Sequence, residues 1–358
     1  MEDNMTKLEK IRGYMRERGI DAFLVYNELN QQYVTEFAFT DGVVLITEKS
    51  AHLLTDFRYL DMAKSAANPE FKVDITKNRT EYISEVLVGE GIRTIGFEGD
   101  FVSFDAYANL TKKYKGFSFV GAGDIFLLAR ERKEPDEIEK IAAAQRITDA
   151  AFSHILTVLT PNMTEIEVAA ELEYFMRKSG ADGFAFETIA VSGVSSSLPH
   201  GTPKNVKLRP GFLTMDYGAR VGGYCSDMTR TVVIGKADAE MKKLYNTVLS
   251  AQQAALDFLR AGVDCAAADK VARDIIDKDY EGAFGHSLGH SVGLFIHESP
   301  NLSSRSVGRI LRGGEVVTVE PGIYLSGKYG CRIEDMVLIT ENGIENFTKS
   351  PKELVEIG

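Results

Sequence analysis

Four acids and four histidines in the later part of this chain have the types and spacing that metal-assisted hydrolysis needs. LTMDYGARVGGYCSDMTRTVVI reads as two strands around a glycine-rich turn. With its tip at Val221-Gly222, Asp216 and Asp227 face each other on one side of the hairpin. Carboxylates directly opposite one another repel, and Asp is a poor strand former. A cation between them converts that repulsion into shared coordination. VVTVEPGIYLSGKYGCRIEDMVLIT repeats the arrangement: Glu320 and Glu334 flank a loop centred near Gly327. Glu320 lies in an apolar run, where an unpaired charge is costly. Either pair alone also fits a solvated strand face beside Lys or Arg. The two pairs together, with the histidines, favour a site.

The chain has six histidines, and His286, His290 and His297 fall within GHSLGHSVGLFIHE. The interleaved Gly285, Gly289 and Gly293 permit close backbone approach in the wall of a tight site. Imidazole is both a metal ligand and a proton carrier near neutral pH, so this run can supply both functions. His200, in SSSLPHGTP, sits on a turn-rich loop of the kind that carries site residues. His52 and His154 read as structural. Four carboxylates and one imidazole make a hard, oxygen-rich set that suits manganese, cobalt or zinc rather than copper, with manganese favoured. Such a set can bridge two ions, which activate a water and stabilise the oxyanion formed from an amide.

The elements that must position these residues follow from pattern. Residues 1–128 alternate helical and strand signals: Leu8–Arg18 reads as a helix closed by Gly19, and DAFLVY, GVVLIT and AHLLTD read as strands. A second α/β round ends near FSFVGA. The charged stretch ARERKEPDEIEK marks a boundary, and Pro135 followed by two acids is a helix start. Residues 129–358 contain one pattern twice. Helices over 138–159 and 165–179 precede the first acid hairpin, with Thr164 and Glu167 forming a capping box. Helices over 240–260 and 265–277 precede the second. A duplicated half-site is a natural way to build one central cleft. The fold class is therefore α/β (α+β) in two domains.

Composition bounds the partners. The chain has 358 residues, 44% hydrophobic and 26% charged, which is globular. Its net charge of −11 argues against nucleic acid, which needs a basic surface. Three cysteines do not make a disulfide framework and fit a reducing compartment. No apolar run has the length of a membrane span, and the charged N-terminal segment lacks a signal-peptide core, so the expected location is cytoplasmic.

Asp216 in MDYGA, Asp227 in GYCSDMTRT, His290 in GHSVG, Glu320 in VEPGIY and Glu334 in RIED resemble, in order, the five-ligand pattern of the pita-bread metallopeptidases. That family includes methionine aminopeptidase, aminopeptidase P and prolidase. The N-terminal part, including TDFRY, is similar to the α/β domain of creatinase and the Xaa-Pro peptidases. The resemblance implies a C-terminal pita-bread domain of pseudo-twofold halves and hydrolysis of the bond preceding proline in dipeptides or short peptides. It implies that Asp216 and Asp227 hold one ion and His290 and Glu320 complete the second, with Asp227 and Glu334 bridging. By the same resemblance His200, His286 and His297 flank the substrate, Glu320 shuttles protons, and Arg332 orients carboxylates beside the metal shell. Tyr224 and Tyr324 lie near ligands, and packing explains them equally well. A homodimer is also implied.

One position departs from the pattern. Short prolidases carry an arginine four residues after the histidine matched by His297, where it binds the dipeptide's carboxylate; this chain has Asn301. Either Arg305 reaches the same place or longer peptides are accepted, which leaves aminopeptidase P as the rival reading. A metal-free binding module of the same fold would be expected to have lost a ligand, and all five are present. Creatinase lacks the full set.

Overall fold

The computed structural model describes residues 5–76 and 78–358. Two compact units divide the chain, one reaching to Arg130 and the other spanning Glu131–Gly358. No helix among the described residues is long and apolar enough to cross a membrane.

The first unit is a six-stranded sheet in the spatial order Lys72–Ile75, Ala51–Thr55, Val43–Thr47, Ala22–Val25, Thr94–Phe97, Ser118–Gly121. Val43–Thr47 is antiparallel to both neighbours and the remaining pairings are parallel, so helices cover the crossovers. Leu24, Leu45, Leu54, Ile83, Leu87 and Ile95 form its core. The first helix runs Lys7–Glu17, opened by a Thr6–Glu9 capping box and followed by Gly19 at φ 64°. His52 is buried in the sheet, hydrogen-bonded to Tyr82 and Ser50.

The second unit contains two helix pairs. Pro135–Val158 and Glu165–Lys178 pack against the sheet Glu356–Ile357, Met228–Ile234, Gly211–Tyr217, Ile189–Ser192 through Phe152, Ile155, Leu172, Leu213 and Met215. Ala239–Phe258 and Cys265–Tyr280 pack against the sheet Glu298–Leu302, Gly289–Ser291, Val316–Val319, Asp335–Thr340, Gly343–Asn346 through Leu244, Val248, Val317 and Val337. The helix starts are those the caps dictate. Pro135 occupies the first turn, Thr164 and Glu167 exchange their bonds, and Asp264 accepts from the Ala267 amide. His154 bonds Glu171 and stacks on Phe175, a structural position on the first helix.

Both acid hairpins are long ladders interrupted near their acids. In the first, Gly222 and Gly223 both have positive φ and form the two-residue tip, with Val221 paired to Tyr224. That placement corrects the expected register by two residues, so Asp216 pairs with Thr229 rather than with Asp227. Because side chains alternate with period two, a two-residue shift keeps both acids on the same face. The pairing breaks between Met228 and Cys225, where the Ser226 carbonyl lies 1.9 Å from where a Gly218 Cβ would be. Asp227 sits in that break. The second ladder is centred on Gly327: Gly322 pairs with Arg332, and further out Val319 pairs with Asp335. Glu320 and Glu334 occupy the gap between these pairings, just beyond the strand Val316–Val319 rather than inside it.

Candidate metal centre and active site

One oxygen each from Asp216, Asp227 and Glu334 lies within 4.8 Å of the others. His290 Nε2 stands 3.6 Å from Asp227 Oδ2 and 3.4 Å from Glu320 Oε1. Five side chains from two hairpins and the strand Gly289–Ser291 therefore share one centre. The hairpins are tied directly, because the Glu334 amide donates to the Thr229 carbonyl and the Thr229 hydroxyl donates to Glu334 Oε2, 2.8 Å away.

Electrostatically this centre is unstable without cations. Burial, then the neighbouring acids, pushes Asp227 and Glu334 well above the usual carboxylate range, and burial drives Glu320 up to about 8. Among the described residues no donor reaches the buried Asp216 Oδ1. His290 Nδ1 is 3.2 Å from the Ser291 carbonyl, which can only accept. The proton therefore sits on Nδ1 and the Nε2 lone pair faces the acids. Burial, followed by His297, lowers the His290 pKa to about 4, so the ring is neutral at pH 7. An orphaned carboxylate oxygen, crowded acids and an imidazole presenting a lone pair are the donor set a pair of divalent cations requires.

Arg332, nearly fully buried, orients the first acid. It donates to Asp216 Oδ2 at 2.5 Å, to the Tyr324 hydroxyl at 2.6 Å and to the Thr229 hydroxyl at 2.9 Å. Thr318 serves the other side, accepting from the His290 amide and donating to Glu320 Oε1 at 3.2 Å.

A cavity of 630 Å³ opens over the centre, lined by all five of these residues together with Arg332, His200, His286, His297 and Asn301. His200 and His297 are exposed at its wall, and the His297 pKa is lowered by burial and by His200. His286 also lines the cavity, but both ring nitrogens are committed: Nδ1 to the Ser287 carbonyl at 2.9 Å and Nε2 to the Tyr324 hydroxyl at 2.9 Å. The His286 ring thus braces Tyr324 from within the cavity wall. Arg305 is not among the lining residues and lies exposed in the turn after the strand Glu298–Leu302, so it does not take the place that Asn301 leaves. Phe186, Thr188, Ile189, Ile296 and Pro203 complete much of the wall and carried no chemical signal in the sequence.

The profile of metallopeptidase family M24 matches residues 139–341, and that of the creatinase/prolidase N-terminal domain matches residues 7–132. The chain is a member of metallopeptidase family M24. Among relatives of this metallopeptidase, the Xaa-Pro dipeptidase of Pyrococcus horikoshii is 37% identical over 98% of both chains. The structure of an Xaa-Pro dipeptidase from Bacillus anthracis superposes with a TM-score of 0.94 at 40% identity, covering 98% of this chain and 99% of that one. An X-Pro aminopeptidase from Thermotoga maritima superposes with a TM-score of 0.90 at 39% identity, over 95% and 99% of the two chains. The fold, an α/β creatinase-like domain followed by a pita-bread domain, is that of these prolidase relatives.

Proposed function

We propose that this metallopeptidase hydrolyses the peptide bond preceding proline in Xaa-Pro dipeptides and short Xaa-Pro peptides. The observation that carries the reading is the convergence of Asp216, Asp227, His290, Glu320 and Glu334 beneath one cavity. The relatives' Xaa-Pro activities support the substrate class. Asp216, Asp227, His290, Glu320 and Glu334 would hold the pair of divalent ions; manganese is our choice from the carboxylate-rich donors. Bound there, the ions supply an activated water and neutralise charge developing on the scissile carbonyl. Glu320 would carry a proton from the attacking water to the departing proline nitrogen, which must leave as a neutral secondary amine. His200 and His297 donate to the developing oxyanion from the cavity wall. Arg332, through Tyr324 and His286, keeps Asp216 aimed at its ion. We take the enzyme to be a cytoplasmic homodimer; light scattering on the purified protein checks its assembly state.

A second reading, an aminopeptidase acting on Xaa-Pro-Yaa, is favoured by the charge of the cavity. Among its lining residues Arg332 is the one Lys or Arg, and it is engaged with Asp216 and Tyr324. The position four residues after His297 carries the uncharged Asn301 at the wall, which offers a dipeptide's free carboxylate no cation and suits the amide that a longer peptide presents. The test is to strip metal, restore manganese, cobalt or zinc separately, and assay Xaa-Pro, Xaa-Pro-Yaa and Met-Xaa peptides. Turnover of the first two is expected. Activity confined to Met-Xaa, or full activity in Asp227→Asn or Glu334→Gln protein that no longer retains metal, defeats the proposal.

A further inference from the structure

Outside the metal centre, a fully buried lysine touches the loop that carries His297. The Lys133 ammonium is 1% exposed and faces the Glu298 carboxylate, 3% exposed, at 3.2 Å. It also donates to the Ser291 hydroxyl at 2.8 Å and to the Glu131 carbonyl at 3.3 Å, which uses all three of its protons. Its two side-chain partners follow His290 and His297 directly in sequence.

The geometry around them is irregular. Ser291 pairs with Glu298, while one residue earlier His290 pairs with Asn301, so Ser299 and Pro300 are accommodated in a bulge. A carboxylate gathers the loop between the two histidines: Glu298 Oε1 accepts the Phe295 amide at 3.1 Å, and Glu298 Oε2 lies 2.5 Å from where a Gly293 Cβ would be. The loop thus wraps a buried negative charge. Lys133 neutralises it from a rigid base, since the Lys133 amide donates to the Gly314 carbonyl at 2.7 Å and Arg132 bridges Glu315. The Ser291 residue that Lys133 grips also accepts from His290 Nδ1. The His290 and His297 rings meet edge to face with centroids 4.5 Å apart.

From this geometry we infer that Lys133 is a positioning residue for the proposed hydrolysis: by clamping Ser291 and Glu298 it sets where the His297 imidazole stands relative to His290. The inference rests on the Xaa-Pro reading, because His297 is the group through which it acts. Lys133 has no contact with substrate in this account. Side chains that orient a metal-site residue from behind typically matter 10–100-fold.

The test is a double-mutant cycle in metal-loaded protein. Lys133→Met is expected to lower kcat about 10–100-fold, with KM within about twofold and two metals per chain retained. In a His297→Ala background the same change should cost less than about twofold, because its effect is already lost. Ser291→Ala keeps the ion pair and covers the case in which Lys133→Met does not fold; its smaller loss should vanish in the same background. Lys133→Arg should restore part of the rate. Losses that multiply independently with His297→Ala, or unchanged kcat in these variants, overturn the inference while leaving the hydrolase reading intact. Wild-type protein that turns over no Xaa-Pro substrate with any metal sinks the reading itself.

Discussion

The Arg332 guanidinium touches Asp216, Tyr324 and Thr229 at once, and each contact uses a different edge of its planar fork. A lysine carries the charge but cannot meet three partners fixed in that plane. Arg332→Lys is therefore expected to weaken metal retention about 10–100-fold, measured by titration against a competing chelator. The loss should appear mainly in the ion that Asp216 would hold, so the ion beside His290 and Glu320 should stay bound more tightly than that one. Equal loss of both, or none, would show that Asp216 needs no such support. The four acids were legible in the sequence because carboxylates in strand patterns conflict with the ordinary rules of burial and pairing, whereas His290 among the clustered histidines, and Arg332, were singled out by the resemblance to the pita-bread metallopeptidases. Thr229 and Thr318 were not legible. Threonine is a common strand residue, so nothing distinguishes a threonine that bonds a ligand carboxylate from one that fills a sheet. Tyr324 stayed ambiguous for the same reason, and only its bonds to Arg332 and His286 assign it to the site. The spacing of His286 from His290 likewise says nothing about the Tyr324 hydroxyl that its ring meets.

At the scale of elements, two glycines let the strands that carry the converging side chains approach. A Cβ on Gly218 would stand 1.9 Å from the Ser226 carbonyl, next to Asp227, and one on Gly289 would stand 2.0 Å from the Thr318 carbonyl, two residues before Glu320. In both cases the obstacle is backbone and cannot rotate away. Gly218→Ala and Gly289→Ala are expected to cost about 1–3 kcal/mol of stability, the usual range for overpacking. Each should also lower metal affinity by at least about tenfold, since the strand that must move carries a ligand. Gly343, where a Cβ meets nothing within 4 Å, is the matched control. Calorimetry with metal titration on the three variants separates the outcomes, and unperturbed metal binding at Gly218 and Gly289 would contradict the argument. The helix pairs were readable from period and caps, as at Thr164 and Glu167. The first hairpin's register was not, because three consecutive candidates for its tip, Val221, Gly222 and Gly223, differ only in which residues take positive φ. The second hairpin has one glycine at its centre, Gly327, and its register followed from that.

Across the whole molecule, the acids that make the centre useful also make the folded chain sensitive to its metals. Asp227 and Glu334 are raised well above the ordinary range and Glu320 to about 8, in each case by burial before any neighbour. A carboxyl whose folded pKa exceeds its unfolded value binds more protons folded than unfolded between the two. Its favourable contribution is complete at pH below the unfolded value, near 4, and is lost as pH rises toward 8. Metal-free protein should therefore lose stability at these three groups as the pH climbs. Cations reverse the sign, because they bind the ionised form, and at a thousandfold excess over Kd each site adds about 4 kcal/mol. Other carboxyls obscure this in an absolute curve; Asp335, though buried, is held low by Arg230 and Lys352 and favours higher pH. The difference between loaded and stripped protein cancels such terms. The expected outcome is a Tm gap that is small near pH 5 and widens steadily to pH 8, and that shrinks markedly in Glu334→Gln. A gap that stays constant or narrows over that range would mean Asp227, Glu320 and Glu334 are not held together at the cost of their own ionisation.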